Sequence, residues 1–439
     1  MARPHVTLII LVVSISCCVA VGRAQGISGG DTDYHTFREH EFVAFNPRYK
    51  QFRAQRIRRA RALGRQVLEQ ETRGQDTACA HQILMEAAWL IGNTADFARI
   101  DERLDDLQHA LAHPQMEALG HQQDPTDGSW GRCYTEWFFK LDGTFDHLNK
   151  ASTRDKLLKV PPRFLDRVNS PEKLRKYFTG VSVSDIARQG LDHRRQLNES
   201  MADLLRFILR NRPRGYVWNP AIKAVMMDLV LNRLRNPQTG WWGERYLVHG
   251  RVEWVDDLSI TFHMIRYLRG NVPSMQQVVD TALTVRNLDY PVGWLEDGHY
   301  TNHNNMDAAV LFRFGWNSAT EAQRKMMAAE ITRMLDWCLT ESLQPDGSFR
   351  FTGYGDDSVE EANYFGETFL TRIGFFDKRR RFWTNRDFPQ SAEIRRRLLA
   401  YIAKHRKTGA VGGTYYEHAL EELGVNSGDQ RRFGNKNDH

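Results

Sequence analysis

Two short stretches carry residue types that can hold and cut a sugar chain. "GWWGERYLVHGR" offers Glu244, Arg245, Tyr246, His249 and Arg251 beside Trp241 and Trp242. "GWLEDGHYTNHNNMD" offers Glu296, Asp297, His299, Tyr300, His303, Asn304, Asn305 and Asp307 beside Trp294. Flat indoles stack on sugar rings, amides and carboxylates bond hydroxyls, and a guanidinium grips a uronate carboxylate with two N–H groups. β-Elimination beside such a carboxylate needs a base, a part for Tyr or His, and a neutralising group, a part for Arg or Asn. The candidate catalytic residues are therefore Arg245, Tyr246, His249, Tyr300, His303 and Asp307. Trp241, Trp242, Glu244, Arg251, Trp294, Asn304 and Asn305 are the candidate substrate-binding residues. Hydrolysis would instead draw two carboxylates from Glu244, Glu296, Asp297 and Asp307. His303 and Asp307 stand four apart, so on a helix they share a face that could help bind a divalent metal. No other cofactor is expected. Each group also has a structural reading: the tryptophans as packing plugs, an Arg-Tyr pair as a surface contact.

The elements that must position these residues are helical. "RRQLNESMADLLRFILRN" puts Leu197, Met201, Leu204, Leu205 and Ile208 on one face, and "ADFARIDERLDDLQHALAH" does the same with Phe97, Ile100, Leu104, Leu107 and Leu111. Strand-like alternation is scarce, so the chain reads as all-α. A Gly-x-aromatic turn recurs around Trp130, Trp242, Trp294 and Phe349, at separations of 112, 52 and 55 residues. The first gap has room for one degenerate copy. Each unit has room for a helical hairpin, in which Gly makes the tight turn, the aromatic fills the gap between hairpins, and the following acid caps the next helix. Repetition predicts an α/α toroid of about five to six hairpins.

In these motifs the chain resembles a known superfamily. "QPDGSF" and "TDGSWG" look like the Gln-Trp repeats of squalene cyclases, and "VDDLSITFHMIRYL" looks like the helix start that follows them. The family is the α/α toroid superfamily of terpenoid cyclases and protein prenyltransferases, an architecture shared with secreted polysaccharide lyases and hydrolases. The resemblance implies the fold and leaves the chemistry open. The chain has no DxDD acid motif, "LDGTFD" being too widely spaced, and Cys338 has no Asp or His beside it for a zinc site. Asp356, Asp357 and Glu360 in "DDSVE" match the DDxxE spacing of a magnesium motif, but they also fit the repeat's helix-capping grammar. Three functions stay open: cleavage of a polysaccharide, more readily an acidic one, with β-elimination ahead of hydrolysis; terpenoid-cyclase or prenyltransferase-like chemistry; and a non-catalytic binding toroid.

Composition sets the outer bounds. The chain has 439 residues and a net charge of +6. Residues 1–24 read as a signal peptide with cleavage after Ala24, so an exported protein is expected; Cys17 and Cys18 lack the leucine usual before a lipidated cysteine. Residues 25–74 read as a basic, helical N-terminal arm, 75–423 as the toroid and 424–439 as a polar tail. His35, Arg38, Glu39, His40 and Glu41 read as an irregular part of that arm. Cys79, Cys133 and Cys338 allow one disulfide at most, with Cys79 and Cys338 read as small buried hydrophobes. The arginine cluster from Arg48 to Arg65 reads first as a solvated helix face. The expected partner is a glycan, with no nucleic acid and no membrane span after signal removal.

Overall fold

The computed structural model describes residues 34–149, 158–350 and 359–405. The segments read as a signal peptide and as a polar tail, together with Asp356 and Asp357, lie outside the described residues, and so does the Glu360 side chain. The chain opens with α1 (Tyr34–Phe45) and α2 (Tyr49–Thr72). Six successive helix pairs follow. They are α3 (Ala78–Asn93) with α4 (Phe97–Ala112), α5 (Trp137–Asn149) with α6 (Pro171–Val181), and α7 (Arg194–Leu209) with α8 (Ile222–Asp228). Next come α9 (Leu258–Tyr267) with α10 (Met275–Val285), α11 (Asn302–Gly315) with α12 (Glu321–Trp337), and α13 (Val359–Arg372) with α14 (Ser391–His405). The fold is all-α apart from one small sheet, in which β1 (Val183–Ser184) pairs parallel to β2 (Gly243–Val248) and β2 pairs antiparallel to β3 (Arg251–Asp256).

Helices α7, α9 and α11 bury residues on most sides, polar ones among them, whereas α4, α12 and α14 bury only one stripe. The first members of the pairs pack on one another in succession and run parallel. Arg195 lies over Phe139 and Arg206 over Phe145, so α7 ascends with α5. Asn198 bonds Ser259 and Arg206 meets the Tyr267 hydroxyl, so α9 ascends with α7. His303 stacks on Phe365 and Arg313 donates to the carbonyl of Arg372, so α13 ascends with α11. Parallel neighbours place their N-termini at one end of the row.

Among the described residues the repeated turn surrounds all four aromatics, and those of Trp130, Trp242 and Phe349 are built the same way. A backbone bond closes each onto the residue before the aromatic, from Asp124 to Ser129, Asn236 to Trp241 and Gln344 to Ser348, whereas around Trp294 it runs from Tyr290 to Leu295, the residue after the indole. The following helix then ties the aromatic down: the N–H groups of Trp130, Trp242 and Phe349 donate to Thr144 Oγ1, Thr261 Oγ1 and Asn363 Oδ1. Gly347 has φ +93°, and a Cβ there would stand 2.6 Å from the Arg397 backbone, so the turn requires glycine. Between α6 and α7, where the long gap predicts a further copy, the chain forms β1 and a four-residue helical turn ending at left-handed Gly190, with no aromatic plug.

Two readings of the sequence need correction. The arm is helical as expected, but its His35 to Glu41 part is not irregular: it lies in α1, docked by Arg38, which pairs with buried Asp192 and donates to the Gly92 carbonyl, while His35 Nε2 meets the carbonyl of Tyr290 at 3.0 Å. Cys79 is not a lone hydrophobe but is bonded to Cys133, while Cys338 is buried and free. Among the described residues no helix is long and apolar enough to cross a membrane.

Candidate active site

The first candidate stretch forms a β-hairpin, and alternation along β2 divides its residues between two faces. Tyr246 points inward and is fully buried; its hydroxyl donates to Asp192 Oδ1 at 3.1 Å and meets the Tyr34 hydroxyl at 3.1 Å. Burial first, then the charge of Asp192, holds that phenol well above its ordinary range. Glu244 shares this face, accepting from Ser184 Oγ at 2.9 Å, and burial followed by Asp192 pushes its carboxyl up. Arg245 leaves the opposite face, donating to the Ser182 carbonyl and hydroxyl and lying over Trp254. His249, at φ +50°, and Arg251 sit exposed at the hairpin turn. The expected Arg245–Tyr246 catalytic pair is thus split by the strand, and the phenol has no open side.

The second stretch caps α11 through Thr301, whose hydroxyl accepts from the Asn304 N–H. Tyr300 is engaged with Glu330 Oε1 at 2.9 Å. Asn304 reaches Glu296 Oε1 at 3.4 Å. Asn305 is fully buried with no partner for either amide atom. Asp307 is fully buried, neither oxygen has a hydrogen-bond partner, and His303 Nε2 stands 3.9 Å away. Burial raises the Asp307 carboxyl; Arg266 opposes this and Asp257 adds to it. No group of three or more His, Cys, Asp or Glu side chains gathers around a metal position among the described residues.

The three tryptophans are corrected as well. Trp241, Trp242 and Trp294 are each 0% exposed, so none presents a face to a sugar. The indole N–H groups of Trp241 and Trp242 donate to the carbonyls of Val278 and Val230, which completes their role as plugs.

The parallel helices bring together a set of residues outside those two stretches. On α5, Asp142 and Asp146 are four apart; on α7, Arg195, Glu199 and Asp203 are spaced likewise, followed by Arg206; on α9, His263, Arg266 and Tyr267 continue the stripe. Burial, then Asp146, Asp203 and Glu199, pushes the Asp142 carboxyl up against the pull of Arg195. Yet Asp142 keeps part of its side chain accessible and Asp146 is exposed, so the group reaches solvent. Asp203 is 3% exposed, its Oδ2 has no partner, and burial, Glu199 and Asp146 raise it. His263, pushed down to about 3 by burial and then by Arg266, His303 and Arg206, is neutral and bonds the Tyr267 hydroxyl at 3.0 Å. At the N-terminus of α7, Arg194 pairs with Asp257 and donates to the Tyr290 hydroxyl at 2.7 Å. Half-buried Glu296 beside it is pushed up to about 7, chiefly by burial.

The sequence reading weighed Asp142 and Asp146 only as a DxDD motif and passed over Glu199 and Asp203. The signal was present: acidic residues four apart on α5 and again on α7, beside an apolar helix face. No family model matches the chain, and neither a curated protein nor a solved structure does.

Proposed function

We propose that this chain is an exported enzyme that cleaves a polysaccharide, and that its helix pairs close into an α/α toroid around the polar stripe. The carrying observation is the packing of α5 against α7, which sets Asp142 and Asp146 beside Glu199 and Asp203, with Asp203 deeply buried and one of its oxygens unpartnered. Carboxyls that raise one another hold a proton where a lone carboxylate would not. One protonated carboxyl can then give its proton to the glycosidic oxygen as the C–O bond breaks, while an ionised neighbour takes a proton from the attacking water. The atoms balance with water alone as co-reactant.

This favours hydrolysis over β-elimination, because the Arg-Tyr pairing that favoured elimination is divided by β2. Elimination keeps one observation on its side, the Arg194–Tyr290 contact at the N-terminus of α7. Arg195, Arg206 and Arg266 in the stripe suit an acidic glycan. A charged interior also suits a sugar chain better than the hydrocarbon substrate of a terpenoid cyclase. The Cys79–Cys133 disulfide supports an oxidising compartment, in keeping with export.

The test incubates the protein from Gln25 onward with uronate-containing and neutral polysaccharides. Reducing ends and ultraviolet absorbance of an unsaturated sugar are followed together. Reducing ends without absorbance, abolished in Asp203→Asn, are expected. Absorbance would transfer the assignment to elimination, and silence on both would reject glycan cleavage for those substrates.

A further inference from the structure

Helix α2 divides its arginines by function. Arg56 and Arg59 turn toward α4 and pair with Asp101 and Asp105, and Arg53 donates to the Ile91 carbonyl. These three bind the helix to the fold. Arg58, Arg61 and Arg65 face the other way, are exposed, and make no ion pair among the described residues. Their spacing of three and four residues keeps them on one stripe, about 10 Å long at the α-helical rise of about 1.5 Å per residue. Gln51 and Gln55 extend the exposed face toward the helix start. A run of unpaired cations with amides in line is a surface for a chain of regularly spaced anions.

We propose that this stripe docks an acidic polysaccharide, a glycan chain carrying carboxylate or sulfate groups, as an accessory surface apart from the proposed cleavage site. The choice of a glycan among polyanions rests on the function proposed above; the presence of a polyanion surface does not. An anionic membrane fits less well. The large exposed hydrophobic residues among those described are Phe45, Val217, Val252 and Met326, and none of them lies on α2 to insert beside the arginines.

The test measures binding, not turnover, so it is separable from the cleavage reading. Immobilised heparin and polygalacturonate, anionic phosphatidylglycerol vesicles and a mixed-sequence DNA duplex are the probes, each at low and at physiological salt. Arg58→Gln/Arg61→Gln/Arg65→Gln is compared with the triple lysine variant. The expected result is acidic-glycan binding that weakens with salt, falls about tenfold or more in the glutamine variant and persists in the lysine variant. Cleavage of a short oligosaccharide should be the same in both. Retention of full binding by the glutamine variant, at an unchanged melting temperature, would overturn the proposal. So would wild-type binding confined to vesicles or to DNA. If the triple glutamine variant does not fold, the three single variants replace it, each expected to lower affinity, and three unchanged affinities would overturn the proposal equally.

Discussion

Arg245 and Tyr246 are adjacent in sequence and leave β2 on opposite faces, the guanidinium over Trp254 and the phenol against Asp192. Tyr246, Asp192, Arg38 and Tyr34 form one buried polar knot that fastens α1 to the start of α7. Such a knot contributes stability rather than chemistry. Tyr246→Phe removes one hydroxyl from it and should cost about 1 kcal/mol, read as a lower urea midpoint with unchanged slope. Glycan cleavage at saturating substrate should stay within about twofold. A loss of turnover without loss of stability would return Tyr246 to the catalytic set.

Asp142→Asn and Asp203→Asn each leave the shape of the stripe intact and remove a titrating group. Loss of general acid or base function lowers turnover by about 10²- to 10⁴-fold. Both variants should show this drop in kcat with little change in KM. The wild-type rate should also fall as pH rises, because burial and the neighbouring carboxylates raise both groups and deprotonation removes the acid. Rates that do not change with pH between the ordinary carboxylate range near 4 and about 8 would contradict a proton held in this cluster.

Asp307 yields a prediction on stability alone. Its folded-state carboxyl is raised, so the folded chain binds the proton more tightly than the unfolded chain does. Its contribution to folding is therefore complete below about pH 4 and is lost as pH rises through the raised value. In Asp307→Asn that loss is absent. The melting temperature of the variant relative to wild type should increase between pH 4 and pH 8. A difference that is constant over this range would mean that Asp307 is ionised and paired in the folded protein.

The helices and the repeated turn could be read from the sequence because both are local. Apolar spacing along α4 and α7 and the Gly-x-aromatic turn are set within about twenty residues. The hairpin was missed because its key residues, Glu244, Arg245 and Tyr246, were read for side-chain chemistry, while their strand comes from pairing with β3 and, across 62 residues, with β1. The carboxylate group was missed for a related reason. Asp142 and Asp203 are 61 residues apart in sequence, and each alone looks like a polar residue on a helix. Only the parallel packing of α5 and α7 brings the two aspartates close enough for the Asp203 charge to raise the Asp142 carboxyl.

The tryptophans provide the sharpest separation of packing from binding. Trp242 is fully enclosed, its N–H held by the Val230 carbonyl and its ring under the Arg235 guanidinium. Trp254 on β3 is half-buried beneath Arg245. Removing a buried indole leaves a cavity and costs about 3–5 kcal/mol. Trp242→Ala should therefore unfold at a much lower denaturant concentration or fail to accumulate, whereas Trp254→Ala should lose about 1 kcal/mol or less beyond its smaller buried area. Neither loss should take the form of weaker glycan affinity in a protein of normal stability. If Trp242→Phe, which keeps most of the volume, is stable yet binds the glycan at least tenfold more weakly, the indole contacts sugar and the plug assignment fails.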